Sequence, residues 1–248
     1  MSSSRKHFPI IDVSAENVSL SVSRPLSLAL LGSLSNPQPR CPVVLLLDCS
    51  SSMDGRPIEE LQRAVSLFYE EMTSDPVARL SVEICVIPFG GNVKVMRPFE
   101  TVMEAAKRPR PSLTAEGTTP MGEAISLGLD QIRQRRDYYR QHGHAAYKPW
   151  MVLMTDGQPN DDWQEPAAAA RRRAEQGRLF FIGLGIGDEV DMGTLRNILP
   201  ADAPPMQLKG LRFAEFFRWL SDSLKVVTSG STTQQRSIPA VDDYDWTL

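Results

Sequence analysis

Short apolar runs alternate with amphipathic segments through the central part of the chain. The runs at residues 43–47, 150–154 and 179–184 are typical of strands buried on both faces, as in a parallel sheet. Between the first two, Arg56–Ser74 has apolar residues at helical spacing, and it contains Pro57, which is favoured in the first turn of a helix. Strands that alternate with helices predict an α/β fold with a mostly parallel sheet.

Further patterns predict a doubly wound sheet that is flanked by helices. The strand patterns at residues 80–89 and 93–96 are separated by Gly90, Gly91 and Asn92, so they predict a hairpin with one antiparallel edge strand. The remaining predicted elements are helices at residues 120–139, 166–176 and 213–227 and a last edge strand at Met206–Leu208.

Three regions of the chain differ in composition. Residues 1–41 are rich in serine and predict a partly ordered N-terminal extension with at most one peripheral strand. Residues 42–227 contain the strand and helix patterns and predict the folded domain. Residues 228–248 begin with a polar stretch and end with acidic and aromatic residues. Because the polar stretch has too little apolar content to fold alone, we predict a flexible acidic tail.

Composition and charge exclude several classes of protein. The 248 residues are 42% hydrophobic and 23% charged, with a net charge of −3 at pH 7, which gives no overall attraction to nucleic acid or to an anionic membrane. The apolar run at residues 25–34 is far shorter than the roughly 20 residues of a membrane-spanning helix. Three cysteines are too few for a disulfide framework and favour a reducing compartment. We therefore expect a cytoplasmic protein with neither nucleic acid nor membrane as a partner.

Oxygen-bearing side chains follow three of the predicted strands. Asp48, Ser50 and Ser52 come at alternate positions after the first strand, Thr119 precedes the helix that begins at residue 120, and Asp156 follows the strand at residues 150–154. In an open α/β sheet, functional sites form at the carboxyl ends of strands. Carboxylates and hydroxyls without cysteine or histidine are a hard ligand set, which favours Mg²⁺ or Mn²⁺ over Zn²⁺.

Each of these residues also has an ordinary structural interpretation. Asp48 and Ser50 are good caps for the first helix, Thr119 is a good N-cap before Pro120, and Asp156 suits a turn. The metal interpretation is favoured because such residues occur jointly at three strand ends.

The order D-x-S-x-S, then a threonine loop, then T-D-G resembles the von Willebrand factor A (vWA) domain and its metal-ion-dependent adhesion site. The resemblance covers about residues 42–227. The residues in and around the first and last of these motifs are most similar to those of the bacterial tellurium-resistance TerY-type branch. Ser51 and Thr118 stand where that branch usually has glycine. Neither position supplies a metal-ligand side chain in the family, so the site is expected to survive.

The resemblance implies a role for each of the five residues. Ser50, Ser52 and Thr119 would be direct ligands of the metal, and Asp48 and Asp156 would bind it directly or through water. A partner protein would supply an acidic side chain to the ion. The resemblance further implies a non-enzymatic interaction module in a bacterial stress-response or defence system such as tellurium resistance, whose partners include kinases, phosphatases and other tellurium-resistance components.

Two other functions are compatible with the same residues. The catalytic motif of a metal-dependent phosphohydrolase also begins with an aspartate after a buried strand. Its second aspartate, the acid/base, would come two residues later, and this chain has Ser50 there. A metal-independent adaptor would bind through its tails instead. No G-x-x-x-x-G-K-[ST] segment is present, which excludes an ATPase with its own phosphate loop.

Overall fold

Six strands form a single sheet in this computed structural model, which describes residues 36–188, 190–229 and 239–241. In chain order the strands are β1 (Cys41–Asp48), β2 (Val82–Phe89), β3 (Arg97–Thr101), β4 (Trp150–Thr155), β5 (Phe180–Ile186) and β6 (Met206–Leu208). Their order across the sheet is β3-β2-β1-β4-β5-β6, and only the β2–β3 pair is antiparallel. The predicted fold class is therefore confirmed, including its antiparallel edge strand.

Helices cover both faces of the sheet. They are α1 (Arg56–Ser74), α2 (Ala78–Ser81), α3 (Val102–Ala105), α4 (Met121–His142), α5 (Gln164–Glu175), α6 (Met192–Ile198) and α7 (Phe213–Thr228). Within the described residues, none of them is both long and apolar enough to cross a membrane.

The side chains of β1 show why a continuous apolar run is needed here. Val43, Leu45 and Leu47 point into a core shared with α1 and α7, whereas Val44 and Leu46 point into a second core shared with α4, α5 and α6. All five are fully buried, because successive side chains of a strand face opposite sides and both sides are covered.

The strands that follow β1 are added first on one side of it and then, from β4 onward, on the other side. After β1 the chain winds outward to β2 and β3, and it then returns to place β4 on the other side of β1. The carboxyl ends of β1 and β4 thus lie side by side at a topological switch point, which is where open α/β sheets place their binding sites.

The predicted hairpin has a longer loop than the sequence indicated. Residues 93–96, which were expected to form the edge strand, belong to the loop, and the antiparallel strand is β3. The alternation at residues 93–96 reflects Val93 and Val95 packing against the core from that loop. Pro98 lacks an N–H group to donate, which made β3 look unlike a strand, but an edge strand tolerates proline.

Short helices account for the other differences from the predicted elements. The strand expected at residues 80–89 begins two residues later, because α2 continues to Ser81. Helix α6 is not among the elements that the residue pattern predicts, and its N-terminus is capped by the Asp191 carboxylate, which accepts the N–H groups of Gly193 and Thr194. Helices of one or two turns carry too little periodicity to be read from a pattern.

A buried charge cluster joins three segments at the amino end of the sheet. Glu83 of β2 is 2% exposed, and its carboxylate accepts hydrogen bonds from Arg135 Nε at 2.6 Å and from the hydroxyl of Tyr139, both on α4. Arg40 Nε lies 3.7 Å from the same carboxylate. Two guanidinium groups and a hydroxyl thus compensate a carboxylate that burial alone would strongly disfavour.

The two terminal segments lie largely outside the described residues. The expected partly ordered extension and flexible tail therefore stay predictions. Within the tail, residues 239–241 are described and are packed: Val241 is 2% exposed in the α1–α7 core, and the Pro239 carbonyl accepts a hydrogen bond from Trp219 Nε1 at 3.0 Å.

Candidate metal centre

The three loops at the switch point bring the five predicted ligand side chains together. Asp48 is the last residue of β1 and is fully buried. Ser50 and Ser52 lie in the following loop, which contains a 3-10 turn at Ser51–Met53. Thr119 lies two residues before α4, and Asp156 directly follows β4. We refer to these five side chains as the candidate metal centre.

Hydrogen bonds connect four of the five side chains in a chain. Asp48 Oδ1 accepts the N–H of Ser50 at 2.8 Å, and Ser50 Oγ lies 3.0 Å from Ser52 Oγ. Ser52 Oγ in turn donates to Asp156 Oδ1 at 2.8 Å. Residues from the β1 loop and the β4 loop therefore form one polar cluster.

Thr119 reaches the same cluster from the third loop. A Cβ atom placed on Gly157 would lie 3.2 Å from Thr119 Oγ1, so the hydroxyl lies directly against the residue after Asp156. The Thr119 carbonyl also accepts the N–H of Asn160 at 3.1 Å, which ties the two loops together. The absence of a side chain at Gly157 lets the Thr119 hydroxyl lie against the residue that follows Asp156.

The capping interpretations of these residues are wrong. Helix α1 begins after Gly55 and has no side-chain cap, so neither Asp48 nor Ser50 caps it. Helix α4 has no side-chain cap from Thr119 either. Instead, its N–H groups at Gly122 and Glu123 are accepted by the two carboxylate oxygens of Asp161, at 2.9 and 2.8 Å. The hydroxyls of Ser50 and Thr119 are thus not used as caps.

Two residues that position the candidate metal centre are not predicted from the sequence. Thr155, at the end of β4, donates its hydroxyl to Asp48 Oδ2 and fixes the orientation of that buried carboxylate. Asp161 supplies the α4 cap from the β4 loop, which helps to hold the Thr119 segment against that loop. Both stand inside the run T-D-G-Q-P-N-D-D, but nothing in the sequence indicates which of its oxygens face inward.

Glycines allow the loops to approach each other at backbone distance. A Cβ on Gly90 would lie 2.5 Å from the Cys49 carbonyl oxygen, and one on Gly117 would lie 2.3 Å from Gly91 Cα. Backbone hydrogen bonds cross the same contacts: Glu116 N–H donates to the Cys49 carbonyl, and Ser51 N–H donates to the Gly117 carbonyl. The β1 loop is therefore held in place by its neighbours.

The electrostatics of the cluster favour a bound cation. Burial raises the pKa of Asp48 to about 6, although hydrogen bonds from Ser50 and Thr155 oppose the shift. Burial also raises the pKa of Asp156, against its hydrogen bond from Ser52. In the part of the chain that the structure describes, neither carboxylate has a salt-bridge partner. Two such carboxylates side by side are poorly compensated by the protein alone.

The donor set fits a hard divalent ion. It consists of two carboxylates and three hydroxyls, all oxygen, with the hydrogen-bonded chain already drawing four of them together. Among residues 36–188, 190–229 and 239–241, no cluster of three or more His, Cys, Asp or Glu side chains is arranged to hold a metal. A site rich in hydroxyls leaves the ion electrophilic, because few anionic ligands neutralise it.

The mostly parallel α/β sheet, with its polar cluster at the switch point, is matched by a known domain family. The profile of the von Willebrand factor type A domain family matches residues 43–214, and the chain belongs to that family. An uncharacterised protein of Synechocystis sp. is 27% identical over 156 residues, which span 62% of this chain and 34% of the relative. The chain thus corresponds to about a third of that relative's length.

Solved structures share the fold. The vWF domain of the type V pili tip protein Mfa5 from Porphyromonas gingivalis is 11% identical with a TM-score of 0.58, covering 80% of this chain and 99% of that one. Proximal thread matrix protein 1 from the mussel byssus, whose structure has a zinc-occupied MIDAS motif, is 18% identical with a TM-score of 0.52, covering 75% of this chain and 48% of that one.

Proposed function

We propose that this chain is a metal-dependent protein-interaction module. Its candidate metal centre holds Mg²⁺ or Mn²⁺, with Ser50, Ser52 and Thr119 as direct ligands and Asp48 and Asp156 as direct or water-mediated ligands. The observation that carries the proposal is the hydrogen-bonded chain from Asp48 through Ser50 and Ser52 to Asp156, which joins two loops at the switch point and has no salt bridge to a basic side chain among the described residues. The zinc-occupied motif of the mussel byssus protein supports a metal at this place in the fold.

The partner completes the coordination of the ion. Hydroxyl ligands leave a divalent cation short of negative charge, so it favours an anionic sixth ligand. The exposed side chain of Ser52 lies at the protein surface, where an acidic side chain of another protein can reach the ion. Binding a partner carboxylate needs no acid/base residue, and Ser50 stands where a phosphohydrolase of the kind considered above would have one.

The biological setting that we propose is a bacterial stress-response or defence system in the cytoplasm, such as tellurium resistance. This part of the proposal follows from the resemblance of the D-C-S-S-S-M and T-D-G-Q-P-N-D-D motifs to the TerY-type branch. Kinases, phosphatases and other tellurium-resistance components are the expected partners.

Titration calorimetry with Mn²⁺ tests the metal centre. We expect one bound ion for the wild type and none for Asp48→Ala, with an unchanged circular dichroism spectrum because Asp48 is the last residue of β1 and belongs to neither apolar core. Asp202→Ala removes an exposed carboxylate elsewhere on the chain and serves as the matched control. Equal affinity in Asp48→Ala and the wild type would contradict the metal assignment.

A pull-down from the source organism tests the role of the ion in partner binding. Three samples are compared: wild type in Mg²⁺, wild type in EDTA, and Asp48→Ala in Mg²⁺. A partner present in the first sample alone supports metal-bridged binding. The same partner in all three samples would contradict it and would favour an adaptor that binds through its tails.

A further inference from the structure

A polar cavity of about 180 Å³ adjoins the candidate metal centre on its β2 side. We call it the Lys94 cavity. Its polar side chains come from the β2–β3 loop and from the segment before α4, and they are those of Asn92, Lys94, Ser112, Thr114 and Glu116. Cys49, which stands between Asp48 and Ser50, forms part of its wall. The cavity and the candidate metal centre therefore share one loop.

The polar groups of the Lys94 cavity are free to bind a ligand. Within the described part of the chain, none of the five side chains has a hydrogen-bond or ion-pair partner. Lys94 and Glu116 are both exposed, so their charged groups are accessible to water. A ligand that replaces this water has to return the same hydrogen bonds.

The walls of the cavity are held rigidly relative to the metal loop. Gly91 N–H donates to the Glu116 carbonyl at 2.8 Å, and Glu116 N–H donates to the Cys49 carbonyl at 2.7 Å. The Cβ positions at Gly90 and Gly117 are blocked by neighbouring backbone. A partner that binds the ion is therefore presented with a preformed second pocket at a fixed distance, which lowers the entropic cost of filling it.

The chemistry of the cavity favours one kind of group. Its volume of about 180 Å³ is far above the roughly 10–15 Å³ that a single water needs, so a partner side chain can enter it. Lys94 offers only donors and Glu116 only acceptors. A carboxylate would pair with Lys94 but oppose Glu116, and a cation would do the reverse. A primary amide both donates and accepts, so it satisfies both residues.

We infer that the Lys94 cavity is a second recognition site for the partner, which takes a Gln or Asn side chain near in sequence to the acid that binds the ion. This inference rests on the proposed metal-bridged function and adds to it the identity of a second partner residue. Partner recognition would then need two features together, an acidic residue and an amide at a fixed spacing.

Blocked alanine-based peptides test the inference in the presence of Mn²⁺. Each peptide carries one Glu for the ion and, at one to four positions before or after it, either Gln, Glu, Lys or the isosteric Met. Binding is measured by NMR titration, and Mn²⁺ affinity is measured separately by calorimetry. At one spacing we expect the Gln peptide to bind about tenfold more tightly than its Met counterpart.

Variants of the Lys94 cavity test whether its side chains cause the preference for Gln. Lys94→Met and Glu116→Met, which remove the donor and the acceptor in turn, are expected to abolish the preference for Gln while leaving the Mn²⁺ affinity unchanged. Lys107→Met, an exposed lysine at the start of another loop, is the matched control and should keep the preference. Loss of Mn²⁺ affinity in the cavity variants would contradict a role confined to the partner.

The outcomes separate the inference from the proposed function. Metal-dependent binding of all peptides with equal affinity, or a preference for Glu or Lys, would overturn the amide site and leave the metal-bridged function standing. A preference for Gln that survives both cavity variants would also overturn it. If no peptide binds in a metal-dependent way although Mn²⁺ itself binds, the proposed bridging by a carboxylate is wrong, and the inference falls with it.

Discussion

The hydroxyl of Ser52 donates a hydrogen bond to Oδ1 of Asp156 at 2.8 Å, although the two residues are 104 positions apart in the chain. The bond joins the loops that follow β1 and β4, which the sheet places side by side. Ser52 Oγ also lies 3.0 Å from Ser50 Oγ, and the N–H of Ser50 donates to Asp48.

Divalent metal is expected to stabilise the folded chain. An ion that binds only the folded state raises the free energy of unfolding by about 2.7 kcal/mol when its concentration is 100 times its Kd. Chemical denaturation in Mn²⁺ and in EDTA measures the difference. Asp156→Asn should remove it, and Asp202→Ala should keep it. A stabilisation that persists in Asp156→Asn would place the ion elsewhere.

Thr155→Val is expected to weaken Mn²⁺ binding by about 10- to 100-fold, since the Thr155 hydroxyl orients the buried Asp48 carboxylate and such supporting partners contribute that much to metal affinity. The change preserves the shape of the side chain. Thr228→Val removes another buried hydroxyl, which bonds the Leu224 carbonyl on α7, and should leave metal binding unchanged. Calorimetry on both variants measures the effect, and equal affinities would show that Thr155 is not a supporting residue.

Gly117→Ala is expected to displace the loops around the candidate metal centre. Gly117 has φ +69°, and a Cβ there would lie 2.3 Å from Gly91 Cα. Gly143→Ala is the matched control, because Gly143 has the same φ but open space around its Cβ position. The control should cost only the strain of a left-handed alanine, about 1–2 kcal/mol. Gly117→Ala should lose more stability and also lose Mn²⁺ affinity, and equal effects of the two changes would contradict the interlocked loops.

Glu83→Gln is expected to destabilise the fold by about 3–5 kcal/mol, because it leaves Arg40 and Arg135 without their buried counter-charge. Glu104→Gln breaks an exposed pair with Lys107 and should cost less than about 1 kcal/mol. Mn²⁺ affinity should not change in either variant, since Glu83 pairs with Pro42 at the opposite end of β1 from Asp48. Urea denaturation gives the stability, and a small loss in Glu83→Gln would mean that the cluster relaxes or admits water.

Truncation of the tail is expected to have two different effects. A chain that ends at Ser229 loses the buried Val241 side chain and the Pro239 acceptor of Trp219, at a cost of about 1.5–3 kcal/mol for the apolar burial alone. A chain that ends at Asp243 keeps both, places its terminal carboxylate two residues beyond the buried contact, and should retain full stability. Thermal unfolding compares the two, and equal melting temperatures would show that the 239–241 contact contributes nothing.

The contrast between β1 and β3 shows which strands can be predicted from a local pattern of residues. Residues 43–47 of β1 are buried on both faces, so all five are apolar and the strand can be recognised without its partners. The edge strand β3 is exposed on one side, contains Pro98, and is defined only by its pairing with β2. For the same reason helix α6 was missed, because its seven residues are stabilised by the Asp191 cap and by tertiary packing.

Local patterns in the chain predict the α/β alternation, the antiparallel edge and five oxygen-bearing residues in three loops, because burial and the ends of helices and strands leave a trace in the order of residues. Which of these oxygens meet is visible in the folded chain alone. The tertiary structure showed that Thr155 rather than a helix N-terminus engages Asp48, and that Asp161 rather than Thr119 caps α4. It also placed Lys94 and Glu116 in one cavity beside the candidate metal centre. These are contacts between loops distant in the chain, and their geometry is set by the order of the strands and the close approach of glycine backbones, which no local pattern contains.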